Sequence, residues 1–282
     1  MNIFGVWMWP KSVRMQGAEA VAARCAAIGV TDIYYLTKGL GGMTVYNSLI
    51  APHSDRDLLR EMLDAAHARG IRVHAWFTSA CDEHYKALHP DSGRYHFTRG
   101  KDKPLISLAD EGYLAYMEQI TRELCQGYDV DGLHLDYIRY NHLLYGWSED
   151  DLARYAAQGA DPEHLRGLMQ RMFCQDKPED ALLFDAYRAG DESVLALARA
   201  RRQDVVRFAS RLTGLARAER SDLILSAALM PEGAYDDLAF SDLHYGQNYE
   251  DAAKLYDFAL PMAYSKAKRR TLPGCAWWRK AP

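Results

Sequence analysis

The feature that most constrains the fold is a repeated alternation of short apolar segments with amphipathic segments. Apolar or aromatic runs typical of strands occupy residues 3–8, 32–36, 71–77, 132–138, 223–230 and 258–264. Between them, apolar residues recur at helical spacing; one example is the series Leu114, Met117, Ile120 and Leu124. Six β–α units in succession predict a parallel sheet with helices outside it.

Two architectures satisfy this alternation: a doubly wound sheet and a (β/α)8 TIM-type barrel. The turn after strand one, residues 9–11, reads WPK and lacks the glycine fingerprint of a dinucleotide-binding fold. Polar and aromatic residues instead follow nearly every strand, and a barrel active site is built from such residues at the carboxyl ends of its strands. The residues at the strand ends therefore favour the barrel over the doubly wound sheet; they are Trp9, Lys38, Trp76, Asp136, Glu232 and Tyr264.

The predicted barrel lacks two of its eight strands. Residues 266–282 are basic, contain Pro273 and Gly274, and are too short for two further β–α units. We therefore expect a barrel domain over residues 1–265 that is C-terminally incomplete, with a truncated or frame-shifted tail over 266–282. The first and sixth strands would then be open edges through which the chain could form oligomers.

Residues 141–190 contain no strand pattern and predict a helical insertion after strand four. Because it follows the carboxyl end of that strand, the insertion should lie over the active-site face. Its aromatic residues Tyr145 and Trp147 are then candidates to line a substrate subsite.

Charge and composition exclude several classes of partner. The 34 Lys and Arg residues against 38 Asp and Glu residues leave a formal charge of −4, which disfavours nucleic-acid binding. No apolar run reaches the roughly 20 residues of a membrane span, and no signal peptide begins the sequence. Five scattered cysteines without a C-x-x-C pair indicate reduced thiols and a cytoplasmic location. An arginine-rich helix is interpreted as solvated, with Arg199, Arg201, Arg202, Arg207, Arg211 and Arg217 on its outer face.

The fourth strand carries the strongest candidate for chemistry. Alternation along residues 131–140, DGLHLDYIRY, places His134, Asp136 and Ile138 on the inward face. The leucines between them, together with Tyr137, would face the helices. Burying a carboxylate at the mouth of a barrel costs free energy, so such a residue usually has a chemical function or an ion-pair partner. Asp136 is therefore either a functional carboxylate or the structural ion-pair partner of Arg139.

A second carboxylate, Glu232, follows strand five with the same parity as Ser226, Ala228 and Met230. Two carboxylates at neighbouring strand ends are the minimum for hydrolysis of a glycosidic bond. Glu232 is the candidate acid/base unless it is a solvated turn residue, in which case Asp82 or Glu83 is the next candidate.

Aromatic residues around these carboxylates suit a sugar, because aromatic rings stack on the apolar faces of pyranoses. They are Trp7, Trp9, Trp76, Tyr137, Tyr140 and Tyr264. For any one of them core packing is the more common role, so the indication comes from their number around the mouth of the barrel. Lys38 and Arg139 could contact an acidic sugar. The predicted substrate-binding set is Lys38, His74, Trp76, His134, Arg139 and Tyr264, with an oligo- or polysaccharide as partner and no cofactor.

Three segments resemble a known family. Residues 131–140, residues 74–77 (HAWF) and residues 30–39 (VTDIYYLTKG) are similar to the glycosyl-hydrolase-like family 10 group of TIM barrels, distantly related to α-amylase and α-galactosidase barrels. The resemblance covers about residues 3–265. It implies that the strand-four aspartate, Asp136, is the nucleophile, and that an acid/base on strand five corresponds to Glu232.

Other functions remain open at this point. Family 18 chitinases carry D-x-x-D-x-D-x-E on strand four, and the position of their catalytic glutamate is Ile138 here, which argues against that chemistry. A metal-dependent hydrolase could use His134 and Asp136 with His74 and His244 as ligands. A non-catalytic carbohydrate-binding barrel, or an inactive fragment, is the further alternative.

Overall fold

The computed structural model describes residues 3–173 and 181–263 and shows a parallel α/β half-barrel. Six strands form one curled sheet in which each strand pairs, in parallel, with its neighbours in chain order. The predicted incomplete barrel is therefore confirmed. The strands are β1 (Gly5–Met8), β2 (Asp32–Lys38), β3 (Arg72–Thr78), β4 (Gly132–Asp136), β5 (Ile224–Leu229) and β6 (Phe258–Pro261).

Helices follow the strands and cover the outside of the sheet. No helix of the described residues is long and apolar enough to cross a membrane. The helices are α1 (Pro10–Gln16), α2 (Ala18–Ala27), α3 (Leu58–His67), α4 (Glu83–Leu88), α5 (Glu111–Gly127), α6 (Glu149–Ala157), α7 (Pro162–Phe173), α8 (Leu182–Ala189), α9 (Glu192–Glu219), α10 (Ala239–His244) and α11 (Tyr249–Leu255).

The main core lies between the outer face of the sheet and the helices. Leu133 and Leu135 of β4 are buried there, as the alternation predicts. They belong to one core with apolar residues of α5 and α9, and burial of such surface is the dominant favourable term of folding. The interior face of β4 is left for His134 and Asp136.

The long helix α9 joins the barrel to the insertion. At 28 residues it spans roughly 42 Å, more than the height of the sheet. Its second half packs in the barrel core, whereas its first half belongs to a separate core formed with α6, α7 and α8. Helices that follow barrel strands run back from the carboxyl face, so the insertion sits on that side, as predicted.

Two aromatic residues of the insertion do not line a subsite, contrary to expectation. Tyr145 and Trp147 are only 3% and 5% exposed. The Trp147 indole donates to the carbonyl oxygen of Leu143, and its ring packs on Tyr155 and Phe97. Trp147 is part of the insertion's own core, whereas Tyr145 packs in a small cluster with Cys81 and Leu105.

The open edges of the sheet are those of β1 and β6, which do not pair with each other in the described part of the chain. The predicted tail, residues 266–282, lies outside the described residues. At the β1 edge, Trp7 remains 38% exposed, although its side chain is directed to the barrel interior, where it donates to His134.

Gly132 offers a test of the packing inside the barrel. A Cβ atom at this position would lie 2.3 Å from Nδ1 of His74 and 2.5 Å from the carbonyl oxygen of Ile224. We expect Gly132→Ala to lower the free energy of unfolding by about 1–3 kcal/mol, because the strands cannot separate to admit the methyl group. Urea denaturation measures the change.

The matched control is Gly214→Ala. Gly214 lies on the exposed face of α9 with nothing near its hypothetical Cβ, so alanine should stabilise the helix by up to ~1 kcal/mol. Equal stabilities for the two variants would contradict the tight packing around Gly132.

Candidate functional site

A cleft of about 450 Å³ opens at the carboxyl end of the sheet. Its wall combines tryptophan rings in or just after β1 and β3 with apolar residues at the ends of β2, β5 and β6. A single carboxylate among the described residues projects into it. The lining residues are Trp7, Trp9, Leu40, Trp76, Thr78, Asp136, Tyr137, Arg139, Ala228, Met230 and Met262.

Asp136 ends β4 and is only 6% exposed. Its Oδ2 accepts a hydrogen bond from the Trp76 indole at 3.2 Å. Its Oδ1 accepts from the backbone N–H of Tyr137 at 2.6 Å and from Nη1 of Arg139 at 3.2 Å. These donors fix the orientation of the carboxylate, while each oxygen retains further acceptor capacity toward the cleft.

The alternation predicted for β4 breaks immediately after Asp136. Tyr137 has a φ of 54°, in the left-handed region that non-glycine residues rarely occupy. Tyr137 therefore lines the cleft instead of facing the helices, and Ile138 is buried in the outer core instead of the barrel interior. Both placements correct the sequence-based expectation. The guanidinium of Arg139 lies 4.7 Å above the Tyr137 ring and so reaches back to Asp136.

Arg94, which sequence analysis missed, anchors the segment after β4. Its side chain is buried, and Nη1 donates to the carbonyl oxygen of Arg139 at 2.8 Å. Nη2 donates to the carbonyl oxygen of Ile106 at 2.7 Å. Its guanidinium also lies 4.9 Å from the centre of the Tyr140 ring. No sequence signal distinguishes this arginine from a solvated one.

Arg201 makes the matching contact from the other side. Its guanidinium lies 4.7 Å from the Tyr140 ring and donates to the carbonyl oxygens of Leu243 and Tyr145 at 2.5 and 2.6 Å. Arg201 is fully buried, so its expected place on a solvated face was wrong. Tyr140 is buried between the two arginines and donates to Asp204 at 2.7 Å, and it is not among the residues that line the cleft.

Three tryptophans form one side of the cleft. Trp9 is 56% exposed, and its ring packs edge-on against Trp76 at 5.6 Å. Trp7 closes the inner end and donates to Nε2 of His134 at 3.3 Å. Large aromatic surfaces left open in a concavity are typical of ligand sites.

The predicted residues His134 and His74 lie beneath the cleft, in the barrel interior. Because the Trp7 indole only donates, Nε2 of His134 accepts, and its Nδ1 carries the proton toward Ser226 Oγ at 2.9 Å. Burial, reinforced by the charge of His74, lowers the pKa of His134 to about 3. Nε2 of His74 bonds instead to Asp32 at 2.8 Å.

Asp32 holds the base of this interior network. Burial alone would raise its pKa, but hydrogen bonds from His74 and from both arms of the Arg72 guanidinium outweigh burial and hold the pKa well below its usual range. The paired charges allow a carboxylate to remain in a fully buried position.

Lys38 does not line the cleft. A bulge between Leu36 and Lys38 pairs Lys38 with the outward-facing Phe77. The ammonium group is consequently buried on the helix side, 2.9 Å from Asp82 and 3.3 Å from the Tyr113 hydroxyl. An extra residue in a strand moves the following side chains to the opposite face of the sheet. This bulge has no clear sequence signature.

The remaining predicted acids lie apart from the Asp136 cleft lining. Glu232 is buried in the turn Pro231–Ala234. Burial is the main cause of the raised pKa of Tyr249, and the charge of nearby Glu232 raises it further. Asp82 caps α4 and pairs with Lys38, and Glu83 is exposed on the same helix. Tyr264 lies outside the described residues.

A metal-binding arrangement is not present among residues 3–173 and 181–263: no three His, Cys, Asp or Glu side chains there are placed to hold an ion. Of the candidate ligands, His134 bonds to Trp7 and Ser226, and His74 bonds to Asp32. His244 accepts from the backbone N–H of Leu143 and lies in the core of the insertion side.

Comparison with known proteins gives a likeness in fold without one in sequence. No protein-family profile matches the chain, and no curated protein matches it. Among solved structures, it is similar to the glycoside hydrolase domain of PgaB (BpsB) from Bordetella bronchiseptica, with a TM-score of 0.70 and 14% identity over 99% of this chain and 82% of that one.

Two further neighbours are glycoside hydrolases. The β-galactosidase from Marinomonas ef1 has a TM-score of 0.63 and 16% identity over 93% of this chain, which spans only 41% of the enzyme. The catalytic domain of the Paenibacillus polymyxa β-amylase has a TM-score of 0.61 and 9% identity, with 90% and 75% covered. At these identities the likeness shows the fold alone, an incomplete TIM-type α/β barrel.

The buried histidine beneath the cleft predicts a loss of stability in acid. The unfolded chain binds a proton at His134 near pH 6.5, whereas the folded chain resists protonation until about pH 3. The stability contribution is therefore present above pH 6.5 and is lost as the pH falls toward 3. His134→Gln should flatten the pH dependence of the free energy of unfolding between pH 6 and 4 by up to ~1.4 kcal/mol per pH unit. A slope equal to that of the wild type would contradict the buried neutral imidazole.

Proposed function

We propose that the chain binds an oligo- or polysaccharide in this cleft and hydrolyses a glycosidic bond, with Asp136 as the essential carboxylate. The observation that carries the proposal is the position of Asp136, a nearly buried carboxylate at a strand end inside a cleft with three tryptophans. Burying a carboxylate beside apolar rings is costly, and its hydrogen bonds orient it toward the opening.

The chemistry follows from the contacts of this carboxylate. Glycoside hydrolysis passes through a centre with oxocarbenium character, which an ionised carboxylate stabilises or attacks. Trp76 and Arg139 hold both oxygens of Asp136 in place, so little reorientation is needed when charge develops on the sugar. The motif resemblance to glycosyl-hydrolase-like family 10 barrels assigns the nucleophile to the same residue.

Sugar binding is proposed for the tryptophan wall. Trp9 is 56% exposed and presents a ring surface against which a pyranose face can pack, and the buried Trp76 lies edge-on to it at 77° and supports it. Thr78, Tyr137 and Arg139 supply polar groups along the same cleft. This combination of aromatic area with a few polar contacts suits a carbohydrate better than a purely apolar ligand.

The proton donor is proposed to be Glu232. Ala228 and Met230 of the β5 side line the cleft, and Glu232 follows them by two residues in the next turn. The proposal requires the carboxyl group of Glu232 to reach the leaving oxygen when substrate is bound.

A non-catalytic carbohydrate-binding barrel is the second candidate. The observation that favours it is that Asp136 is the one carboxylate among the described residues that line the cleft. Hydrolysis by the usual route uses two carboxyl groups, whereas binding needs only the aromatic wall and polar contacts.

Asp136→Asn is expected to lower the turnover of aryl glycosides by at least about a hundredfold, since the amide has the size of the carboxylate but cannot act as a nucleophile or base. Release of the aryl group measures turnover, and thermal denaturation verifies a cooperative fold. The matched control is Asp222→Asn, an exposed carboxylate near the start of β5 that pairs with Arg220. Activity of Asp136→Asn equal to that of the control would remove Asp136 from the mechanism.

Glu232→Gln distinguishes the acid from the binding-barrel alternative. If Glu232 donates the proton, the variant should lose activity on substrates with poor leaving groups and retain much more on activated aryl glycosides. Equal losses on both substrates would argue against a proton donor. Wild-type protein that binds glycans by calorimetry but turns over neither substrate would favour the binding barrel.

A further inference from the structure

The apolar wall of the cleft continues beyond Met230 and Met262. These two residues and Ala228, which all line the cleft, pack in one cluster with Tyr245. Tyr245 follows α10, and its carbonyl oxygen accepts from the backbone N–H of Tyr140, in the segment after β4. The β5–β6 connection is thereby held against the same segment that carries Arg139.

Phe240 extends this wall to the surface. Its ring lies 5.9 Å from Tyr245, roughly perpendicular to it, and the residue is 38% exposed. His244 stacks on the Phe240 ring at 4.1 Å and Phe184 stacks on it at 5.7 Å, so neighbouring rings hold Phe240 in place. An exposed ring that is fixed in advance loses little conformational entropy on binding a ligand.

Met230, Met262, Tyr245 and Phe240 together form an apolar strip, and Asp136 lies between this strip and the tryptophans. Trp9 belongs to the β1 side of the sheet, Asp136 ends β4, and Met230 and Phe240 follow β5. A ligand that covered both sides would pass over the carboxylate. Phe240 is not among the residues that line the cleft itself, so a ligand that reached it would have to extend beyond the space over Asp136.

We infer that Phe240, with Tyr245 behind it, forms an additional subsite for a saccharide chain, and that the substrate of this cleft is an oligomer or polymer of sugar units. The inference rests on the proposed function. The occupant is a carbohydrate because the strip contacts the cleft wall through Tyr245 and ends, like the opposite wall at Trp9, in a partly exposed aromatic side chain.

The test compares substrates of different length. Wild-type protein is first assayed on a panel of soluble polysaccharides, on the short oligosaccharides of each series, and on the corresponding aryl monoglycosides. Phe240→Ala should lower kcat/KM on polysaccharide about five- to tenfold and change hydrolysis of the aryl monoglycoside by less than twofold. Phe240→Leu, which keeps much of the apolar packing, should show the same selective loss and excludes a folding defect.

The matched control is Phe4→Ala. Phe4 is also exposed, at 51%, but precedes β1 at the opposite end of the barrel, and its loss should leave both substrates unaffected. If Phe240→Ala behaves as this control does on polysaccharide, or lowers both activities equally, the subsite is refuted while the hydrolase remains. If wild-type protein turns over no member of the panel, the proposed function fails, and the inference fails with it.

Discussion

Two buried guanidinium groups hold the segment after β4, and the geometry of the cleft depends on that segment. Arg94 and Arg201 lie against Tyr140 and donate to backbone carbonyl groups from four parts of the chain: residues 106, 139, 143–145 and 243. An arginine can serve several carbonyls at once because its five donors are fixed in one plane. The contacts join the β3–β4 region, α9 and α10 around the backbone that positions Arg139.

A consequence is that the site tolerates backbone strain. The left-handed conformation of Tyr137 is unfavourable for a side chain of this size, and the surrounding hydrogen bonds must maintain it. The strain has a visible effect: it moves Tyr137 into the cleft and allows Arg139 to turn back toward Asp136. A regular continuation of β4 would have placed Arg139 elsewhere.

The barrel interior also buries polar side chains, and ion pairs or hydrogen bonds compensate for the loss of water. Asp32 is compensated by Arg72 and His74 at the base, whereas His134 is kept neutral and bonds to Trp7 and Ser226 higher up. The polar interior therefore contains paired charges below and uncharged hydrogen bonds beneath the cleft. Asp136 lies above both groups, where the interior opens into the cleft.

The sequence by itself determined the β–α order, the six strands, the helical insertion and the inward direction of His134 and Asp136, because these follow from periodicity within single segments. Only the tertiary structure decided which polar side chains reach the cleft. A bulge turned Lys38 to the helix side, a left-handed residue brought Tyr137 inward, and two separate apolar clusters buried Tyr145 and Trp147. The burial of Arg94 and Arg201 could not be predicted from the sequence either, because their partners are carbonyl groups distant in the chain. Local alternation reports the face of a strand, whereas these placements depend on contacts between segments that meet only in the folded chain.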